Sequence, residues 1–115
     1  MVADSILDSV KKTLNIDADD TAFDVDILMH TNSVLAILNQ IGLTDNGFQI
    51  DDASTTWDDL LGGRPDLNFV KTYIFTKVRL VFDPPNTSFG IDALKDVATE
   101  LEVRIHTLLE AEKWA

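Results

Sequence analysis

Apolar residues recur along most of the chain at intervals of three and four, the spacing of amphipathic helices. Ile6, Leu7, Val10 and Leu14 share one face of a first helix predicted over residues 5–14. Asp4 is placed to cap it, and Lys11 and Lys12 lie where the C-terminal dipole favours cations. After Asp17-Ala18-Asp19-Asp20, a second helix is predicted from residue 20 or 21 to residue 41. Its apolar stripe is Phe23, Ile27, Val34, Leu38 and Ile41, widened by Leu28 and Leu35. Gly42 is a left-handed C-cap candidate, and Leu43 can fold back on the last turn.

The helical period then lapses. Asp45-Asn46-Gly47 is turn chemistry, Phe48-Gln49-Ile50 alternates like a short strand, and residues 51–56 are polar. A loop this long in a small domain usually has a function. Trp57-Asp58-Asp59-Leu60-Leu61 reads as one helical turn stopped by Gly62-Gly63. The third main helix is predicted over residues 66–82 and is apolar nearly all round, which marks a central helix or one shared with a neighbouring subunit. Residues 72–82 are also rich enough in β-branched and aromatic side chains for a strand. The repeat of Val70, Ile74, Val78 and Phe82 at four decides for helix. Ile74 and Val78 are expected to face the last helix near Leu101 and Ile105. Asp83-Pro84-Pro85 forms a hard corner, because Pro breaks the helical ladder and the residue before it leaves the α region. A last helix opens at Thr87 or Ser88 and continues to about residue 112. Leu94, Val97, Leu101, Ile105 and Leu108 line one face, Glu100 and Arg104 form an i,i+4 pair, and Gly90 is a mild weakness in the first turn. The expectation is all-α: one domain over residues 1–115, a compact bundle of about four helices with a long loop between the second and third main helices. The loop, residues 43–56, and the tail, residues 110–115, are candidate interaction elements.

Composition narrows the function. Hydrophobic residues make up 45%, which suits a folded chain rather than a disordered one. Twenty acids against nine bases give a net charge of −11, which argues against gripping nucleic acid through its phosphates. The acid is uneven: residues 1–57 hold ten acids and two bases, residues 58–115 ten acids and seven bases. With no cysteine, disulfides, thiol catalysis and Cys-ligated zinc are excluded, in keeping with a reducing compartment. No apolar run is long enough to span a membrane, and Met1-Val2-Ala3-Asp4-Ser5 does not resemble the start of a signal peptide.

Candidate chemistry is sparse. Asp17-Ala18-Asp19-Asp20-Thr21-Ala22 begins like a calcium loop, but Ala22 stands at the turn glycine and Leu28 at the bidentate glutamate. His30 follows Asp26 by four and His106 follows Glu102 by four, yet the Glu-x-x-His spacing of a dimetal bundle is absent. Ser5, Ser9, Ser33, Ser54 and Ser88 lack a Gly-x-Ser-x-Gly setting, and Gly62-Gly63 lacks the Lys-Ser/Thr of a phosphate loop. Asp51-Asp52 and Asp58-Asp59 are sequence neighbours whose side chains diverge. No catalytic residue, metal or cofactor is expected, and no enzyme. Trp57 and Trp114 fit either local packing or an interface anchor, and Phe48 and Ile50 give the acidic loop something apolar to bury. These four are the candidate partner-binding residues, and Asp83, Pro84 and Pro85 the structural corner.

The run from Tyr73 to Phe89, YIFTKVRLVFDPPNTSF, with Ala93-Leu94-Lys95 and Glu102-Val103-Arg104-Ile105 downstream, resembles the head–tail connector proteins of tailed bacteriophages. The resemblance covers about residues 70–106. It implies a structural protein that forms a dodecameric ring beneath the portal, extends the DNA channel and docks a neck stopper or tail-completion protein. DNA would pass through without specific binding, and the protein would assemble in the host cytoplasm into the virion. The alternative for so acidic a helical chain is a small regulator, a DNA mimic that inhibits a basic host protein. A mimic would bind its target as a monomer or dimer; a connector would bind a portal ring.

Overall fold

Ser5, not Asp4, starts the first helix, α1 (Ile6–Thr13): its side chain accepts from the Asp8 amide at 3.2 Å. The structure, a computed structural model, describes residues 4–44 and 47–114. Met1, Val2 and Ala3, Asp45 and Asn46 of the expected turn, and Ala115 of the tail lie outside the described residues. Ile6, Leu7, Val10 and Leu14 are all buried, as their spacing predicts.

The second helix, α2 (Asp24–Ile41), begins later than the acidic run suggests. Asp20 spends its carboxylate on the Ala22 amide at 3.1 Å, so it cannot cap a helix. Phe23 takes the N-cap position without a side-chain bond. Lys11 is buried and reaches under this segment, donating to the Ala18 carbonyl at 3.0 Å and pairing with Asp24 at 2.8 Å. Ile27, Thr31, Val34, Leu35 and Leu38 face the core, whereas Phe23 is 45% exposed. Gly42 ends the helix at φ 106°, with the Leu43 amide bonded back to the Leu38 carbonyl at 3.0 Å. This is the expected left-handed cap.

Among the described residues no strand forms. Phe48-Gln49-Ile50 pairs with a side chain instead: Asn32 donates to the Ile50 carbonyl at 2.9 Å and accepts from the Ile50 amide at 2.8 Å. A single bridge, Ser5 to Thr56, ties the end of the loop to the start of α1. The Ile6 amide donates to the Thr55 carbonyl at 3.1 Å, and the Trp57 amide to the Asp4 carbonyl at 2.9 Å. Helix α3 (Trp57–Leu61) opens with a Thr56–Asp59 capping box and stops at Gly62 and Gly63, both at positive φ.

One 3₁₀ turn (Pro65–Leu67) precedes α4 (Phe69–Phe82), so the third main helix starts three residues later than predicted. Helix α4 is central, as its all-round apolarity implies: it packs on α1, α2 and α5. Val70, Tyr73, Ile74 and Val78 are fully buried. Asp83 turns at φ −147° before Pro84 and Pro85, and Thr87 caps α5 (Ser88–Lys113) through the Gly90 amide at 3.0 Å. Gly90 is a requirement rather than a weakness: a Cβ there would stand 2.8 Å from Pro85 Cβ. The buried seam of α5 runs through Ala98 and Ile105, with Leu94, Leu101 and Leu108 half-buried. Val97 is exposed, because small Ala98 turns the helix's close face one residue on.

Candidate assembly surfaces

Two of the four candidate partner-binding residues belong to the subunit's own core. Ile50 is 1% exposed and Trp57 is 5% exposed. Trp57 donates its indole N–H to Ser9 Oγ at 3.0 Å, meets the Phe75 ring edge-on at 5.6 Å and lies 5.5 Å beneath Lys71 Nζ. Both side chains are spent on packing within the subunit. The loop that carries Ile50 is a flap folded on its own domain, because Asn32 meets the backbone groups that the flap would otherwise bury unpaired. Phe48 is half-buried, and its carbonyl accepts from Asn39 at 3.4 Å.

Trp114 is the opposite case. It ends α5 at 75% exposure, its indole N–H donating to Glu110 at 3.1 Å and Lys113 Nζ lying 5.7 Å from the ring. The last turn of α5 is itself fastened: Arg64, before the 3₁₀ turn, donates through both terminal nitrogens to Glu112 and to Asp66 at 2.6 Å. Donating to Glu112 and then to Asp66 holds Arg64 above its ordinary pKa, and Arg64 in turn lowers Asp66. These groups are well exposed, so the network orients the tail more than it stabilises the fold. A link across 48 residues leaves no pattern in the sequence.

The residues considered for chemistry do not converge. His30 on α2 lies against the Phe82 ring, while His106 stands exposed on α5. Glu102 is turned to the Tyr73 hydroxyl, which donates to it at 3.2 Å. Burial and this carboxylate push the phenol above its usual pKa. Asp52 accepts from the hydroxyl and amide of Ser54, which lower its pKa, and Asp59 is committed to its capping box. Among the described residues no group of three metal-ligating side chains forms.

What the surface does offer is area of distinct character. The outer stripe of α5 carries Asp92, Asp96, Glu100 and Glu110, all exposed, with exposed Phe89, Val103 and Trp114 interspersed. Of these acids, only Glu100 has an ion-pair partner among the described residues, Arg104 at 3.8 Å. On the other side of α4, α2 has no Asp, Glu, Lys or Arg between Asp26 and Asp45. Met29, Ser33, Ala36 and Gln40 form its exposed stripe.

A family model described as phage connector protein matches residues 6–112. The chain belongs to the phage connector protein family. No curated protein and no solved structure matches it. As a connector it is a structural component of the head–tail junction of a phage and contacts other head and tail proteins. The helix–Asp-Pro-Pro–helix run falls within the match, and in this connector it is the α4–α5 corner. No helix among the connector's described residues is long and apolar enough to cross a membrane.

Proposed function

We propose that the connector forms a ring beneath the portal, follows the portal's dodecameric symmetry and extends the channel through which DNA leaves the head. The observation that carries this reading is the outer stripe of α5. It runs along a 26-residue helix, about 39 Å at 1.5 Å per residue, and it is acidic and rich in unpaired carboxylates. Turned toward the channel, such a wall repels the phosphate backbone and lets DNA slide without sticking. A net charge of −11 per subunit also opposes spontaneous ring closure, so the portal acts as template. The other face of the ring receives a neck stopper or tail-completion protein.

Trp114, exposed at the end of α5, docks on the portal, and the open edge of Phe48 contacts the adjoining protomer. Light scattering with and without purified cognate portal tests the reading: in dilute solution the chain alone is a monomer or weakly associated rings, and it joins a closed ring when portal is added. A stable dimer that ignores portal would instead fit an acidic mimic of DNA directed at a basic host protein. Deleting residues 110–115, or changing Trp114→Ala alone, should leave the helical fold intact and abolish portal binding. Unimpaired binding by Trp114→Ala would remove the tail from the interface.

A further inference from the structure

The nine bases of the chain are not evenly employed. Lys11 pairs with Asp24, Arg64 with Asp66 and Glu112, Arg104 with Glu100, and Lys71 and Lys113 lie over tryptophan rings. Among the described residues Lys12, Lys77, Arg79 and Lys95 have no such partner. Of these four, Lys77 and Lys95 line one groove at the seam of α4 and α5, together with apolar Leu80, Val81 and Ile91. Val81 is 60% exposed. The groove's one carboxylate, Glu102, is engaged by Tyr73. In so acidic a protein, an apolar groove rimmed by two unpaired lysines is complementary to an acidic and apolar ridge.

The chain itself carries such a ridge. At the start of α2, Val25 is 79% exposed and Met29 is 56% exposed, beside the exposed acids Asp20 and Asp26. The Phe23 ring meets the Phe82 ring at 5.7 Å, so this ridge sits at the end of the molecule where α4 stops. The groove opens at that same end, where Pro84 joins its lining. Helix α4 lies between α2 and α5, so ridge and groove occupy different flanks at one level. Two unlike, complementary patches at one level on different flanks are the requirement for a head-to-tail contact that closes into a ring.

We infer that neighbouring copies join by seating the Asp20/Asp26 ridge of one in the Lys77/Lys95 groove of the next. The inference rests on the ring reading above and names its subunit contact. The acidic stripe of α5 stays out of this contact. Like-charge faces are thereby kept apart, and the lysines find partners only in the assembly.

The test uses two full-length variants. Variant one is Lys77→Glu with Lys95→Glu; variant two is Asp20→Lys with Asp26→Lys. Self-association is followed by sedimentation velocity up to about 1 mM, the range of weak contacts. Wild type should associate with rising concentration, and each variant alone should do so at least about tenfold more weakly. A one-to-one mixture should recover association, because each ridge then finds a groove of opposite sign on the other variant. Each Asp→Lys change adds two charges, so variant two takes the chain from −11 to −7. Relief of general repulsion would make variant two associate more strongly, the opposite of the expected result. Carbodiimide coupling of mixed isotope-labelled and unlabelled wild type gives a second readout. Inter-chain links should join Asp20 or Asp26 to Lys77 or Lys95. Wild type that stays monomeric throughout, variants that behave as wild type, or inter-chain links made elsewhere would each overturn the contact. If portal-dependent rings form with both variants as with wild type, the ring reading stands and this interface falls.

Discussion

The Asn32→Ala substitution tests whether the 43–56 flap is held by a side chain rather than by a strand. Asn32 satisfies both backbone polar groups of Ile50, at 2.8 and 2.9 Å, and Ile50 itself is in the core. Alanine would leave a buried N–H and a buried C=O with no partner. A stranded group of this kind costs about 1–3 kcal/mol, so the pair should cost about 2–4 kcal/mol if the flap relaxes in part. For a domain of this size that corresponds to a fall in melting temperature of about 10–20 °C. Circular dichroism melting gives the magnitude, and hydrogen exchange over residues 48–57 gives the location. In wild type these amides should be protected in the isolated chain; in Asn32→Ala they should open well below the global unfolding free energy. A melting temperature unchanged within about 2 °C, less than a surface substitution's half kcal/mol would shift it, would refute the clamp. So would a wild-type flap that exchanges as fast as an unfolded chain.

Other expectations follow from single positions. Gly90→Ala raises helix propensity by about 1 kcal/mol, yet the clash with Pro85 should make the variant less stable than wild type by about 1–2 kcal/mol; a stabilised variant in urea titration would show that the corner yields. Ile74→Ala removes a fully buried side chain from α4 and should cost about 2–5 kcal/mol, with a loss below about half a kcal/mol refuting its place in the core. Tyr73 is the sole tyrosine, and its folded pKa is raised. The unfolded chain therefore loses its phenolic proton first, and the stability tied to Tyr73 is complete below about pH 10 and lost above it. Tyr73→Phe should flatten that alkaline decline in a pH series of denaturant midpoints, and an equally steep decline would assign it to other groups.

The helical half of this architecture is legible wherever local chemistry acts alone. Val70, Ile74 and Val78 announce a buried helix by their spacing, Gly42 and Gly62 stop helices by left-handed conformations, and Pro84-Pro85 bars continuation. Reading fails where one residue's capacity is taken by another. The second helix looks set to start at residue 20 or 21 until the Asp20 carboxylate is seen on the Ala22 amide. Ile50 looks like a strand residue, but its ladder partner is the side chain of Asn32, 18 positions back. Gly90 reads as a flaw because a helix wheel does not include Pro85. Ile50 and Trp57 look like interface anchors because the contacts that bury them, with Asn32 and Ser9, are distant in sequence. The Lys77–Lys95 groove was equally out of reach, since it exists only once the corner has folded α5 back on α4.

The bridge between Ser5 and Thr56 also bears on how the chain reaches this structure. Helices α4 and α5 are sequence neighbours joined by a short rigid corner, so their contact closes a small loop and can form early. The first helix meets its sequence neighbour α2 through Lys11, paired with Asp24, but its N-terminal end is fixed from far along the chain. Its cap residue and its first amide are held by residues about fifty positions away, and the Asn32 clamp must close before that stretch has a fixed path. The order expected is an α4–α5 hairpin first, α2 laid against it next, and α1 docked last together with residues 48–57. Opening from the folded state should reverse the sequence, so the first segment released is the N-terminal helix with the flap, while the hairpin that carries the acidic stripe and Trp114 is the last to come apart.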